Sequence, residues 1–242
     1  HPNQYVVAKF NNQSLLGVVK NNEVHPLAKN LDPLIKVSAR NKEQKFALDL
    51  LTREDIAIAT LSGIAGSGKT FLALMAALSG MHSKKYDRII FTRSIQPVGK
   101  EIGFLPGDIK DKMDPWISPI VDNFRHAFKD ISYFEVMREK GAIEIAPMAF
   151  IRGRTFNRSI IIVDEAQNAS IHELKTIITR VGEDSKIILL GDVEQIDTPY
   201  IDTLSNGLTI VVEKFKKEKI AGHITLLKGE RSKLATLASK II

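Results

Sequence analysis

Apolar residues along the chain follow two rhythms. Short, nearly unbroken runs recur at Ile56–Leu61, Arg88–Thr92, Ala142–Ala146, Ser159–Asp164, Lys186–Leu190 and His223–Leu227. Runs of this length, rich in β-branched side chains and bounded by polar or glycine turns, read as strands covered on both faces. Between them the spacing turns helical. Residues 38–51 carry Phe46, Leu48, Leu50 and Leu51, with Ser38 as the expected N-cap. Phe71, Leu72, Leu74, Met75 and Leu78 follow the first buried run. Residues 119–140 hold two helical patterns, Ile120–Phe128 and Phe134–Met137, the second stopped by Gly141. Ser170 caps a helix running to about Val181, and Asn206-Gly207 precedes one through Val211, Val212 and Phe215. A last helix is expected after Lys228–Ser232. Strands alternating with helices predict an α/β fold with a mostly parallel sheet.

The first 37 residues read differently. Tyr5–Phe10 and Leu15–Lys20 are β-type runs split by Asn11-Asn12-Gln13, with a further turn at Asn21-Asn22 and prolines at 26 and 33. The expected division is a small β-hairpin or linker over 1–37, serving packing or assembly, and one large nucleotide-binding domain over 38–242.

The chemistry begins where the first buried run ends. Gly63, Ile64, Ala65, Gly66, Ser67, Gly68, Lys69 and Thr70 match G-x-x-x-x-G-K-T between a strand and a helix that starts near Phe71. In that setting backbone N–H groups and a helix N-terminus surround phosphate oxygens. Lys69 is expected to reach the β- and γ-phosphates, and the Thr70 hydroxyl to ligate Mg²⁺. Downstream, Ser159–Asp164 ends in Asp164-Glu165, two carboxylates at the carboxyl edge of a sheet. Asp164 is expected to hold the Mg²⁺ shell and Glu165 to orient the attacking water. Gln195, after Lys186–Leu190, is either a γ-phosphate sensor or part of an ordinary Gly-Asp turn. Gln44 either reads the adenine edge of ATP or simply faces solvent.

Composition adds a polymer to this picture. The 242 residues carry 34 Lys+Arg against 28 Asp+Glu, a formal net charge of +6, more than a nucleotide site requires. The stretch from Gln96 through Lys110 and Lys112 to Trp116 is rich in Gly and Pro, reads as irregular, and mixes lysines with Phe104 and Trp116. That mixture suits a single nucleic acid strand, although both aromatics can equally plug a core or an interface. Arg152, Arg154 and Arg158 form a second basic cluster, for phosphate contact or as a solvated loop. Cysteine is absent, excluding disulfides and thiolate metal sites, and the histidines are scattered. No apolar run reaches the roughly 18 residues of a membrane span, and no signal peptide stands at His1, so a cytoplasmic location is the default expectation. A chain beginning with His rather than Met suggests a processed or excised piece.

With Asp164-Glu-Ala-Gln-Asn168 and Gly191-Asp-Val-Glu-Gln-Ile-Asp197 in view, the chain resembles the PhoH family, P-loop ATPases related to the first RecA domain of superfamily-1 helicases. Ile102–Gly107, Lys112–Trp116, Ile145–Pro147 and Arg152–Phe156 carry the resemblance further, with Ser67 and Ser94 departing from the family's usual Thr and Pro. The resemblance implies a RecA-like αβα sandwich, ATP and Mg²⁺, single-stranded RNA as polymer, helicase-type activity, and a homo-oligomeric ring, hexameric by family habit. Lys228–Ser232 looks like the subgroup that carries a PIN nuclease domain in its full-length members. With a single RecA core, Arg231 is a candidate arginine finger for a neighbouring subunit, or else a structural ion-pair partner; Arg180 is a second candidate. The competing expectation is an ATP-switched assembly or regulatory module for an attached nuclease.

Overall fold

The computed structural model describes residues 1–11, 13–28, 35, 37–93, 109–197 and 202–229, with side chains described at all of these except Phe10 and 109–116. Six strands form one sheet: β4 (Ile58–Gly63), β5 (Arg88–Arg93), β6 (Ile143–Ile145), β7 (Ser159–Asp164), β8 (Lys186–Gly191) and β9 (Ala221–Leu226). Their order is β6-β5-β7-β8-β4-β9, and every pairing is parallel. Parallel strands need helical crossovers, and these cover both faces.

The alternation along β7 shows how the runs were built. Ile160 and Ile162 enter the core under α1 (Lys42–Thr52), α2 (Lys69–His82), α3 (Ile109–Phe128) and α4 (Ser132–Glu139). Ile161 and Val163 enter the opposite core under α5 (Ile171–Ile178) and α6 (Gly207–Phe215). This is the αβα sandwich of a RecA-like P-loop fold, as expected.

A separate antiparallel sheet joins β1 (Tyr5–Phe10), β2 (Gln13–Lys20) and β3 (Glu23–Pro26). It docks on α1: the Tyr5 hydroxyl donates to Asp49 Oδ2 at 2.6 Å, and its ring lies 5.1 Å from that of Phe46. Asn3 Nδ2 donates to the carbonyls of Lys219 and Ala221, tying the sheet to the β9 edge.

Three sequence expectations are corrected. The α1 N-cap is Asn41, whose side chain accepts from Gln44 N–H, because the helix starts three residues later than Ser38 would set it. Lys110–Trp116 are helical rather than irregular: α3 begins at Ile109 and runs through Pro115, held by buried Ile117, Ile120 and Phe124. Tertiary burial outweighs the local proline penalty here. Finally, α5 ends at Ile178, capped by Thr179, with Ser170 and Glu173 forming a reciprocal capping box. Phe104, Arg231 and the expected terminal helix lie outside the described residues.

Candidate functional site

Strand order brings the motifs together. The P-loop leaves the carboxyl end of β4, the acids leave β7, and β8 runs between them. Glycines 63, 66 and 68 adopt φ of 145°, 75° and 92°, which turns the loop back into the start of α2. At Gly63 nothing larger fits, since a Cβ would stand 2.3 Å from the Leu226 carbonyl of β9. Ile64 and Gly66 are exposed, while Ser67 is fully buried and its hydroxyl has no hydrogen-bond partner among the described residues. Lys69 Nζ donates to the Gly63 carbonyl at 2.6 Å and to that of Ile64 at 3.1 Å, so its ammonium already lies across the loop.

Thr70 donates to Asp164 Oδ1 at 3.4 Å, joining α2 to β7. Adjacent ligands of an octahedral Mg²⁺ with ~2.1 Å bonds stand about 3 Å apart, so this hydroxyl and carboxylate fit one such ion. Burial, together with the neighbouring Glu165 carboxylate, pushes Asp164 up to about 6, against the pull of Arg93 and Lys69. A bound cation would relieve that repulsion.

Glu165 occupies the left-handed region at φ 51°, a conformation that costs a non-glycine residue about 1–2 kcal/mol and concentrates at functional sites. Its Oε1 lies 3.5 Å from Arg93 Nη2 at the end of β5. Its Oε2 accepts from Gln167 Nε2 at 2.7 Å. Gln195 is exposed, and its backbone carbonyl accepts from the same Gln167. Gln44 is buried instead of facing solvent. Its Oε1 accepts from Arg40 N–H and its Nε2 donates to the Ser67 carbonyl, so it braces the P-loop with one donor and one acceptor position to spare. Phe71 packs edge-on to His126 beneath the loop.

The basic cluster is mostly structural. Arg154 pairs bidentately with Glu144 and stacks over Phe156, and Arg158 pairs with Asp87 and caps the Lys84 carbonyl. Arg152 stays exposed. Two contributors were missed from the sequence, Arg93 and Gln167. The signal for Gln167 was present: an amide two residues past the paired acids, in a segment that must fold back over the sheet edge. Beyond β9, Gly229 comes against the loop, where a Cβ would stand 3.3 Å from Ile64 Cδ1.

A family model described as PhoH-like protein matches residues 36–242. Protein PhoH2 of Bacillus subtilis (strain 168) is 48% identical over 210 residues, covering 85% of this chain and 48% of that protein. Protein PhoH of Escherichia coli (strain K12) is 36% identical over 189 residues, 78% of this chain and 52% of that protein. The chain spans about half the length of these curated relatives. Among solved structures, Pif1 helicase from Candida albicans aligns at a TM-score of 0.40 and 16% identity, over 79% of this chain and 40% of that one. The large terminase of a thermophilic bacteriophage aligns at a TM-score of 0.46 and 12% identity, over 82% of this chain and 49% of that one.

Proposed function

The chain belongs to the PhoH-like protein family, and from that premise we propose that it hydrolyses ATP with Mg²⁺ and couples the cycle to single-stranded RNA. The observation that carries the first half is the convergence of Thr70, Asp164 and Glu165, from two strand ends, beside the P-loop lysine. In the proposed cycle Lys69 exchanges its own loop carbonyls for β- and γ-phosphate oxygens. Thr70 and Asp164 hold Mg²⁺, which screens phosphate charge when bound. Glu165 accepts a hydrogen bond from the attacking water and orients it. Water adds to the γ-phosphorus as the bond to the β-γ bridging oxygen breaks; that oxygen keeps the electron pair and leaves on ADP, and the water's proton passes through Glu165 to the released phosphate.

Lys69→Ala removes the phosphate-binding ammonium and is expected to abolish turnover; full turnover in that variant overturns the assignment. Glu165→Gln should keep nucleotide binding and lower kcat by about 10²- to 10⁴-fold, leaving a measurable residual rate.

Support for RNA comes from the excess of positive charge and from Arg93. That arginine pairs with Glu165 and immediately precedes residues 94–108, so a polymer engaging this region would act on the water-orienting carboxylate directly. Binding of a single-stranded RNA should weaken steeply with salt, by about the 0.7 power of salt concentration per phosphate neutralised. Salt-insensitive or absent binding refutes the coupling.

A second core would complete the site, and we assign that part to a neighbouring copy in a homo-oligomeric ring. Arg180, whose buried Nε has no hydrogen-bond partner among the described residues, and Arg231 are the candidate fingers. Mixing Lys69→Ala subunits with finger-deficient ones should restore part of the activity; a fully active monomer refutes the ring. A slower switch that regulates an attached PIN-type nuclease is favoured by one observation, that both Glu165 oxygens are already engaged. RNA-stimulated ATPase without strand separation would decide for it.

A further inference from the structure

Gln167 is fully buried between the carboxyl ends of β7 and β8. Its amide is used on both sides. Nε2 donates to Glu165 Oε2 at 2.7 Å and to the Gln195 carbonyl at 2.8 Å, while Oε1 accepts from Asp192 N–H at 3.1 Å. The two partners of Nε2 only accept and the partner of Oε1 only donates, so the flipped amide would lose all three bonds. No other side chain of this size matches that pattern. Glutamate would set a second carboxylate against Glu165, and asparagine is one methylene short.

The surroundings make room for it. A Cβ on Gly191 would stand 2.6 Å from Gln167 Oε1, so glycine at the end of β8 is what admits the amide. The next residue makes a parallel tie, with Asn168 Oδ1 accepting from Asp197 N–H at 2.8 Å. Two consecutive amides after β7 therefore clamp both ends of the 192–197 segment. The left-handed backbone at Glu165 folds the chain back so that the carboxylate and the amide two residues later can meet.

We propose that Gln167 is a positioning residue that couples Glu165 to the segment carrying Gln195. One Nε2 hydrogen pins Glu165 Oε2, while Oε1, 3.5 Å from Arg93 Nη2, keeps an acceptor position for the attacking water. The other hydrogen holds the Gln195 backbone, so a shift of that segment when the γ-phosphate leaves is passed to the water-orienting carboxylate. Gln167 touches neither substrate nor metal; it acts through Glu165. The inference rests on the ATPase reading above.

The test is a cycle of kcat and KM for ATP on the whole chain, comparing wild type, Gln167→Met, Glu165→Gln and the double variant. Gln167→Met keeps the side chain's length and removes its hydrogen bonds. It is expected to lower kcat about 10- to 100-fold, with KM and ADP affinity held within about threefold. In the Glu165→Gln background the same change should cost less than about twofold, because the carboxylate it serves is gone. A kcat within about twofold of wild type overturns the proposal, and so does an equal loss in both backgrounds, which is what general loosening of the fold would give. If Gln167→Met does not fold, Gln167→Asn carries the test: it keeps an amide but stands one methylene short of Glu165 and the Gln195 carbonyl, and a kcat within about twofold of wild type overturns the inference. Wild-type protein that binds ATP without hydrolysing it sinks the ATPase reading as well. Wild type that hydrolyses alongside an unimpaired Gln167→Met sinks this inference alone.

Discussion

His223, on β9, ties the edge of the sheet to β4 through hydroxyl groups. Its Nδ1 lies 2.7 Å from Thr60 Oγ1, and its Nε2 lies 3.1 Å from Thr225 Oγ1 and 3.4 Å from Ser62 Oγ. Hydroxyls serve a neutral imidazole equally as donors or acceptors, and none supplies a fixed negative charge. Burial pushes the ring down from 6.5 to about 4, against weaker support for the cation from the Thr60 backbone and from Glu213 on α6. A folded-state value below the unfolded one means the contribution is complete above pH 6.5. It is then lost as pH falls through the window to 4, where the unfolded chain takes up a proton that the native ring refuses. The gap is worth about 3 kcal/mol at ~1.36 kcal/mol per pH unit. Urea unfolding of wild type and His223→Gln between pH 7 and 4 isolates this term, since other titrating groups are common to both proteins. The wild-type advantage should shrink, or reverse, by about 3 kcal/mol across that window. A difference that stays constant within about 0.5 kcal/mol would refute the assignment of a neutral, desolvated ring.

Other expectations concern the P-loop, the small sheet and a helix cap. Gly63→Ala places a methyl group 2.3 Å from the Leu226 carbonyl at a φ of 145°, so the loop must shift. Thermal unfolding should show a loss of about 1–3 kcal/mol and ADP titration a marked loss of affinity, and unchanged affinity would count against the geometry. Tyr5→Phe removes the hydroxyl bonded to the buried Asp49 carboxylate and should cost about 1–3 kcal/mol, with hydrogen exchange rising first in β1–β3; a cost below about 0.5 kcal/mol would mean the small sheet is not held there. Asn206→Ala deletes the α6 N-cap, whose Oδ1 accepts from Thr209 N–H, and chemical unfolding should report a loss of about 1–2 kcal/mol.

Much of the fold was legible because its signals are local. Six apolar runs became six strands within a residue or two, since a strand buried on both faces has no polar face to interrupt it. The P-loop was readable because its chemistry lies in consecutive backbone positions. The helix over 109–116 was not: Pro115 argues for a break, and only the packing of Ile117, Ile120 and Phe124 against the sheet carries α3 through it. Arg154 and Arg158 read as either phosphate contacts or a solvated loop because their ion-pair partners, Glu144 and Asp87, lie far off in the sequence.

The sequence by itself determined the six buried strands and most of the helices between them, the glycine-rich turn, and the presence of a lysine, a hydroxyl and two carboxylates suited to phosphate and Mg²⁺. Tertiary structure decided which of these groups meet. Placing β8 between β4 and β7 sets Asp164 beside Thr70, 94 residues away in sequence, and carries Gln167 under the segment after β8. It also engages the Glu165 carboxylate with Arg93 and Gln167, and turns Gln44 inward to brace the loop. The physical reason is one of range. Backbone conformation answers to near neighbours along the chain, whereas a buried amide or carboxylate must find its partner wherever strand order delivers one, because an unmet hydrogen bond there costs more than the bond itself returns.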